Sequence, residues 1–169
     1  DNVSVKEYLG QEVVPDSGCG SWLFEPQSTN LLPYSEDFSQ WLLVQATLTP
    51  NYGISPDGTK NSTRVVFSSS GQEVRDSVTS SASTSGSLYI KGVSGETIKF
   101  GLLGSEEIFT LNGDWQRLEK QGTSTSNRIG INTYSGATAR DLQIWGAQLE
   151  NQSYATSYIP TSGTSVTRN

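Results

Sequence analysis

Nine side chains in the second half of the chain have types and spacing that could grip a flat, polar molecule. They are Tyr89 and Lys91; Arg117; Arg128, Asn132 and Tyr134; and Asp141, Gln143 and Trp145. Each alternates with apolar neighbours: Leu88 and Ile90, Leu118, Ile129 and Ile131, Leu142 and Ile144. In a strand, that period of two sends greasy residues to one face and polar or ringed residues to the other. A sugar ring has apolar C–H faces and a rim of hydroxyls. Aromatic planes stack on the faces, while Arg, Lys, Asn, Gln and Asp bond the hydroxyls. If these strands neighbour one another in one sheet, the set is a glycan platform. The plain alternative is a wet face whose rings pack beneath loops. For Trp145 taken alone packing is the better supported reading, as it is for Trp22, Trp41 and Trp115.

Other chemistry finds little footing. The chain has no histidine, which excludes Ser-His-Asp triads and imidazole metal sites. A glycosidase needs two carboxylates facing across a cleft, and nothing in the spacing of Glu36, Asp37, Glu106, Glu107, Glu119 and Asp141 pairs them. No phosphate-binding glycine loop is present. Glu36, Asp37 and Asp141 are candidate oxygen ligands for a structural calcium, with Asp141 the metal candidate. No motif requires a cofactor. The single cysteine, Cys19, cannot form an intrachain disulfide and reads as a small buried residue.

The elements that position these residues read as short strands. The chain has 169 residues, 33% hydrophobic, with 17 glycines and many Ser and Thr. Strands are expected at 1–8, 31–32, 42–49, 62–67, 73–78, 87–91, 97–103, 106–111, 115–120, 128–134 and 139–145. Turn chemistry separates them, notably Pro56-Asp57-Gly58 and Asn112-Gly113-Asp114. Tyr154–Pro160 reads as a capping return, and 161–169 as a polar tail. Without crossover helices, such a series predicts an all-β antiparallel sandwich. Residues 1–24 have little room for a core and read as an arm, or as the end of a preceding module; 25–169 form the body. The first residue is Asp rather than Met, consistent with a fragment or processed product. A net charge of −6 without a basic stripe argues against nucleic acid. No stretch is apolar and long enough for membrane insertion as a helix.

The segments EPQSTNLLPYSEDFSQW (25–41), SPDGT (55–59), SLYIKG (87–92), GDWQRLE (113–119), IWGAQLE (144–150) and ATSYIPTSGTSVTRN (155–169) resemble a jelly-roll module of bacteriophage fibre proteins and polysaccharide-active enzymes. The pattern is similar to carbohydrate-binding modules with a site on a concave sheet face. The resemblance implies a β-jelly roll, a non-catalytic binding role, and a polysaccharide or cell-surface glycan as partner. A virion or extracellular setting is expected with it, and a homotrimer in the parent protein is a further expectation. The resemblance assigns Trp115, Trp145 and Tyr158 to positions that hold the fold, and related modules often hold calcium through an Asp of the closing strand, the region of Asp141. The competing expectation is a structural spacer or oligomerising decoration domain that binds no glycan; a catalytic domain ranks third.

Overall fold

A computed structural model describes residues 13–15, 22–78, 83–122, 128–133 and 139–168, with side chains from Glu25 onward. The expected strand at 1–8, Cys19, Tyr134 and the side chain of Trp22 lie outside the described residues. Strands run β1 (Val13–Pro15), β2 (Trp22–Phe24), β3 (Ser28–Asn30), β4 (Leu42–Val44), β5 (Ala46–Gly53), β6 (Ser62–Phe67) and β7 (Glu73–Ser77). They continue with β8 (Thr84–Lys91), β9 (Thr97–Leu102), β10 (Glu107–Thr110), β11 (Gln116–Gly122), β12 (Arg128–Asn132), β13 (Arg140–Glu150) and β14 (Val166–Arg168). One short 3-10 turn, Phe38–Gln40, is capped by the Asp37 carboxylate, which accepts from the Ser39 amide.

Two antiparallel five-stranded sheets face each other, in the orders β10-β9-β12-β7-β4 and β11-β8-β13-β6-β5. Strands β6 to β13 thread β6-β13-β8-β11 in one sheet and β7-β12-β9-β10 in the other. This double winding is a jelly roll, as the sequence predicts. Strands β5 and β4 extend one edge of each. The expected single strand at 42–49 is two strands in different sheets, because Gln45 takes a left-handed φ of 55° and turns the chain from one layer to the other. Within the expected arm, Val13–Pro15 pairs with Trp22–Phe24.

The alternation holds where it was read. Val65, Phe67, Leu88, Ile90, Ile98, Phe100, Ile129, Ile131, Leu142 and Ile144 fill the interlayer core. Burying each such side chain is worth about 1.5–3 kcal/mol. Strand β13 runs further than the sequence suggested, to Glu150, by way of a bulge after Trp145. Gly146 sits there at φ +62°, a conformation costly for any residue with a Cβ.

Beyond the bulge, two segments lie along and over the second sheet. The Leu31 amide donates to the Leu149 carbonyl at 2.8 Å, and the Ala147 amide to Ser35 at 2.8 Å. Buried Asn30 donates to the carbonyls of Ala147 and Ile159 and accepts from the amides of Leu32 and Leu149. The tail expected to be merely polar adds β14 against β3, and the Arg168 guanidinium meets the Glu25 carboxylate at 2.6 Å. The buried Glu150 carboxylate takes hydrogen bonds from Ser28 Oγ and from the amide and hydroxyl of Thr156. These bonds satisfy polar groups that would otherwise be costly to bury.

Candidate functional site

The sequence-derived set divides between the two sheets. Arg128 and Asn132 lie on β12, in the sheet opposite to the one holding Tyr89, Lys91, Arg117, Gln143 and Trp145. Arg128 meets Glu73 at 3.5 Å and Glu106 at 3.8 Å, a surface ion network rather than part of a shared platform. Tyr134 lies outside the described residues. The expectation of one face carrying all eight binding candidates is therefore corrected: β11, β12 and β13 alternate between the layers, so β12 takes its residues to the opposite sheet.

In the second sheet, cross-strand register builds two polar rows. Arg117 pairs with Tyr89, and Tyr89 with Trp145. One step along, Lys91 pairs with Gln143, Gln143 with Arg64, and Arg64 with Thr49.

The first row is covered. Trp145 is only 5% exposed, with its ring 4.6 Å from Tyr158 and 5.4 Å from Tyr89. Arg117 lies over Tyr89 at 5.6 Å and donates to the Thr156 carbonyl at 2.6 Å. Tyr158 donates to Glu36 at 2.9 Å and shares a 2.6 Å hydrogen bond with Ser35. Burial foremost, then the Glu36 carboxylate, hold the Tyr158 hydroxyl protonated well above the ordinary tyrosine range, against the lowering effect of Ser35. Trp145, Arg117 and Tyr89 thus clamp the 154–159 return to the sheet. An indole so covered offers no ring face to a ligand, so Trp145 is corrected to a packing residue.

The second row is open. Tyr52, Lys91, Gly92, Val93, Asp141, Leu142 and Gln143 line a shallow depression of about 290 Å³. Its rim carries exposed apolar surface, with Tyr52 46% and Val93 60% exposed. Nearby Ile54 is also exposed, and its carbonyl accepts from the Trp115 indole at 3.0 Å, tying the β5–β6 loop to the start of β11.

The sequence reading missed Tyr52. It stands where β5 bulges, between Asn51 at a left-handed φ of 52° and Gly53. A Cβ at Gly53 would meet the Gln143 side-chain oxygen, so glycine lets the strand cross without displacing that side chain. Arg64 stacks against the Tyr52 ring at 5.1 Å and is gripped by both oxygens of Asp141, at 2.8 and 2.6 Å. The Arg64 hydrogen bonds hold the Asp141 carboxyl below the usual carboxylate range.

This fork also engages the metal candidate, Asp141. Both Asp141 oxygens face a guanidinium, which repels a cation. Among the described residues no cluster of three acidic, His or Cys side chains is placed to hold a metal. Asp37 is engaged instead in its turn, and Glu36 with Tyr158 and Asn61.

What remains free in the depression is a set of donors. Gln143 accepts from Ser62 through its oxygen, which leaves its amide nitrogen without a partner among the described residues. The Lys91 ammonium likewise has no carboxylate partner among them. Ring, ammonium and amide stand together over a rigid sheet, with the ring itself held from beneath.

With this geometry in hand, likeness to solved structures places the fold. The chain aligns with a family 29 carbohydrate-binding module at 10% identity and a TM-score of 0.50, over 76% of this chain and 93% of that one. It aligns with an exo-β-agarase at 10% identity and 0.53, over 79% and 25%. A third match, at 18% identity and 0.49, is to the CBM22-1-GH10 modules of the Clostridium thermocellum endo-1,4-β-D-xylanase 10B complexed with xylohexaose, over 72% and 27%. The chain therefore spans about a quarter of the agarase and xylanase chains. At these identities the first two likenesses speak for a shared fold alone. No protein-family model and no curated protein sequence matches the chain.

Proposed function

We propose that this chain is a non-catalytic glycan-binding jelly-roll module, which holds a saccharide in the depression between Tyr52, Val93, Lys91 and Gln143. The observation that carries the proposal is the Tyr52–Arg64–Asp141 stack. An exposed aromatic ring, fixed by a guanidinium that is itself fixed by a carboxylate, is a preorganised stacking surface for a sugar face. Lys91 and Gln143 donate to ring hydroxyls on the other side. The shared fold with a carbohydrate-binding module supports this reading. The described residues of the depression contribute a single carboxylate, Asp141, already bound to Arg64, which favours binding over hydrolysis.

Such open sites bind weakly singly and gain from repetition in a parent protein. A fibre or polysaccharide-targeting parent, in a virion or outside cells, is part of the same proposal and rests on the sequence resemblance. Affinity electrophoresis through gels containing xylan, laminarin, agarose, polygalacturonate or alginate tests it. Retardation in at least one gel, lost in Tyr52→Ala and in Gln143→Ala while both keep the wild-type circular dichroism, is the expected result. Unretarded migration in every gel would favour a structural spacer.

A further inference from the structure

Resting on that reading, we infer that the depression selects an acidic saccharide, with Lys91 pairing a uronate carboxylate or an equivalent sugar-borne anion. Local charge in an acidic chain sets this preference. The chain carries a net charge of −6, and most of its described cations are already matched. Arg64 is paired with Asp141, Arg75 and Arg128 with Glu73, Lys99 with Glu106, Arg117 with Glu119, Lys120 with Glu107, and Arg168 with Glu25.

Lys91 has no such partner, yet it is not a loop-tip lysine in open water. It is half-buried at the end of β8, paired in register with Gln143, and it lines the depression whose rim carries the exposed Tyr52 ring. The acidic side chain that lines the same depression, Asp141, is neutralised by the bidentate Arg64 fork. The site therefore presents one uncompensated positive charge beside an aromatic plane and an amide donor. A neutral sugar would use the ring and the amide and leave the ammonium to water. A uronate would place its carboxylate on Lys91 and its ring face on Tyr52, and a charge-assisted hydrogen bond is about twice as strong as a neutral one.

The test compares retention on polygalacturonate, alginate and hyaluronate gels with retention on their carboxyl-reduced, neutral counterparts, alongside xylan and laminarin. Wild type is expected to bind at least one acidic polymer about tenfold more tightly than its reduced counterpart, with a preference that shrinks as salt is raised. Lys91→Gln removes that preference and Lys91→Arg keeps it. Lys60→Gln, which deletes an exposed lysine outside the depression, changes nothing. Equal retention on acidic and reduced polymers, retention on neutral gels alone, or a preference untouched by Lys91→Gln overturns the inference while leaving the glycan-binding reading intact. Failure to bind any of the gels overturns both.

Discussion

Truncating Trp145 separates a residue that holds the fold from one that holds a ligand. The ring is 5% exposed between Tyr89 and Tyr158. A buried aromatic of this size removes about 200 Å² from water, or about 5 kcal/mol at 25 cal/mol per Å². Partial collapse of the cavity brings the expected loss for Trp145→Ala to about 4 kcal/mol. In a chain of this length each kcal/mol moves the melting point by about 2–4 °C, so the midpoint should fall by about 8–16 °C. Trp145→Phe keeps a ring against both tyrosines and should lose about 1–2 kcal/mol. Thermal and urea unfolding followed by circular dichroism give both values, and gel retention measured well below the lowered midpoint should be unchanged in both variants. A loss under about 1 kcal/mol for Trp145→Ala together with abolished retention would overturn this assignment, because it would make the indole an exposed stacking surface.

Two further outcomes follow from the same geometry. Gly146→Ala adds a Cβ at φ +62° that would lie 3.2 Å from the Tyr89 ring and 3.4 Å from Tyr158, so it should cost about 2 kcal/mol from backbone strain and crowding. Gly58→Ala, at φ +85° with nothing within 4 Å of the new Cβ, should cost only the strain, about 1 kcal/mol; equal unfolding midpoints for the two variants would contradict the clamp. Acid should weaken the protein in a definite window. The Asp141 carboxyl sits below its ordinary value because of Arg64, so its contribution is present above about pH 4 and is lost as pH falls through the lower folded value. Asp141→Asn should cost about 0.5 kcal/mol at pH 7, the scale of an exposed ion pair, and its midpoint should fall less between pH 5 and pH 3 than that of wild type; parallel curves would remove Asp141 from the acid response.

The core was legible in the sequence because it depends only on period two. Leu88, Ile90, Leu142 and Ile144 face inward as their alternation with polar neighbours requires. Which strands are neighbours was not legible, since β11, β12 and β13 alternate between the sheets, and Arg128 and Asn132 left the platform for that reason. The capping return at Tyr154–Pro160 could be read as a segment. Its landing place on Trp145 could not, because no local pattern encodes a contact between Tyr158 and a ring on another strand. Tyr52 was hidden in NYGISPDG, a stretch that reads as turn; an aromatic beside a glycine there was the only signal. Asp141 looked like a metal ligand because its partner, Arg64, lies 77 residues away.

The most direct measurement is backbone amide chemical-shift mapping of the intact chain, titrated with an oligosaccharide cut from the polymer that retards it most. Shifts should gather on Tyr52, Gly53, Lys91, Gly92, Val93 and Gln143, and vanish for Tyr52→Ala. Shifts gathered instead around Arg128 and Asn132 on the opposite sheet, or along β3 and β14, would contradict this placement.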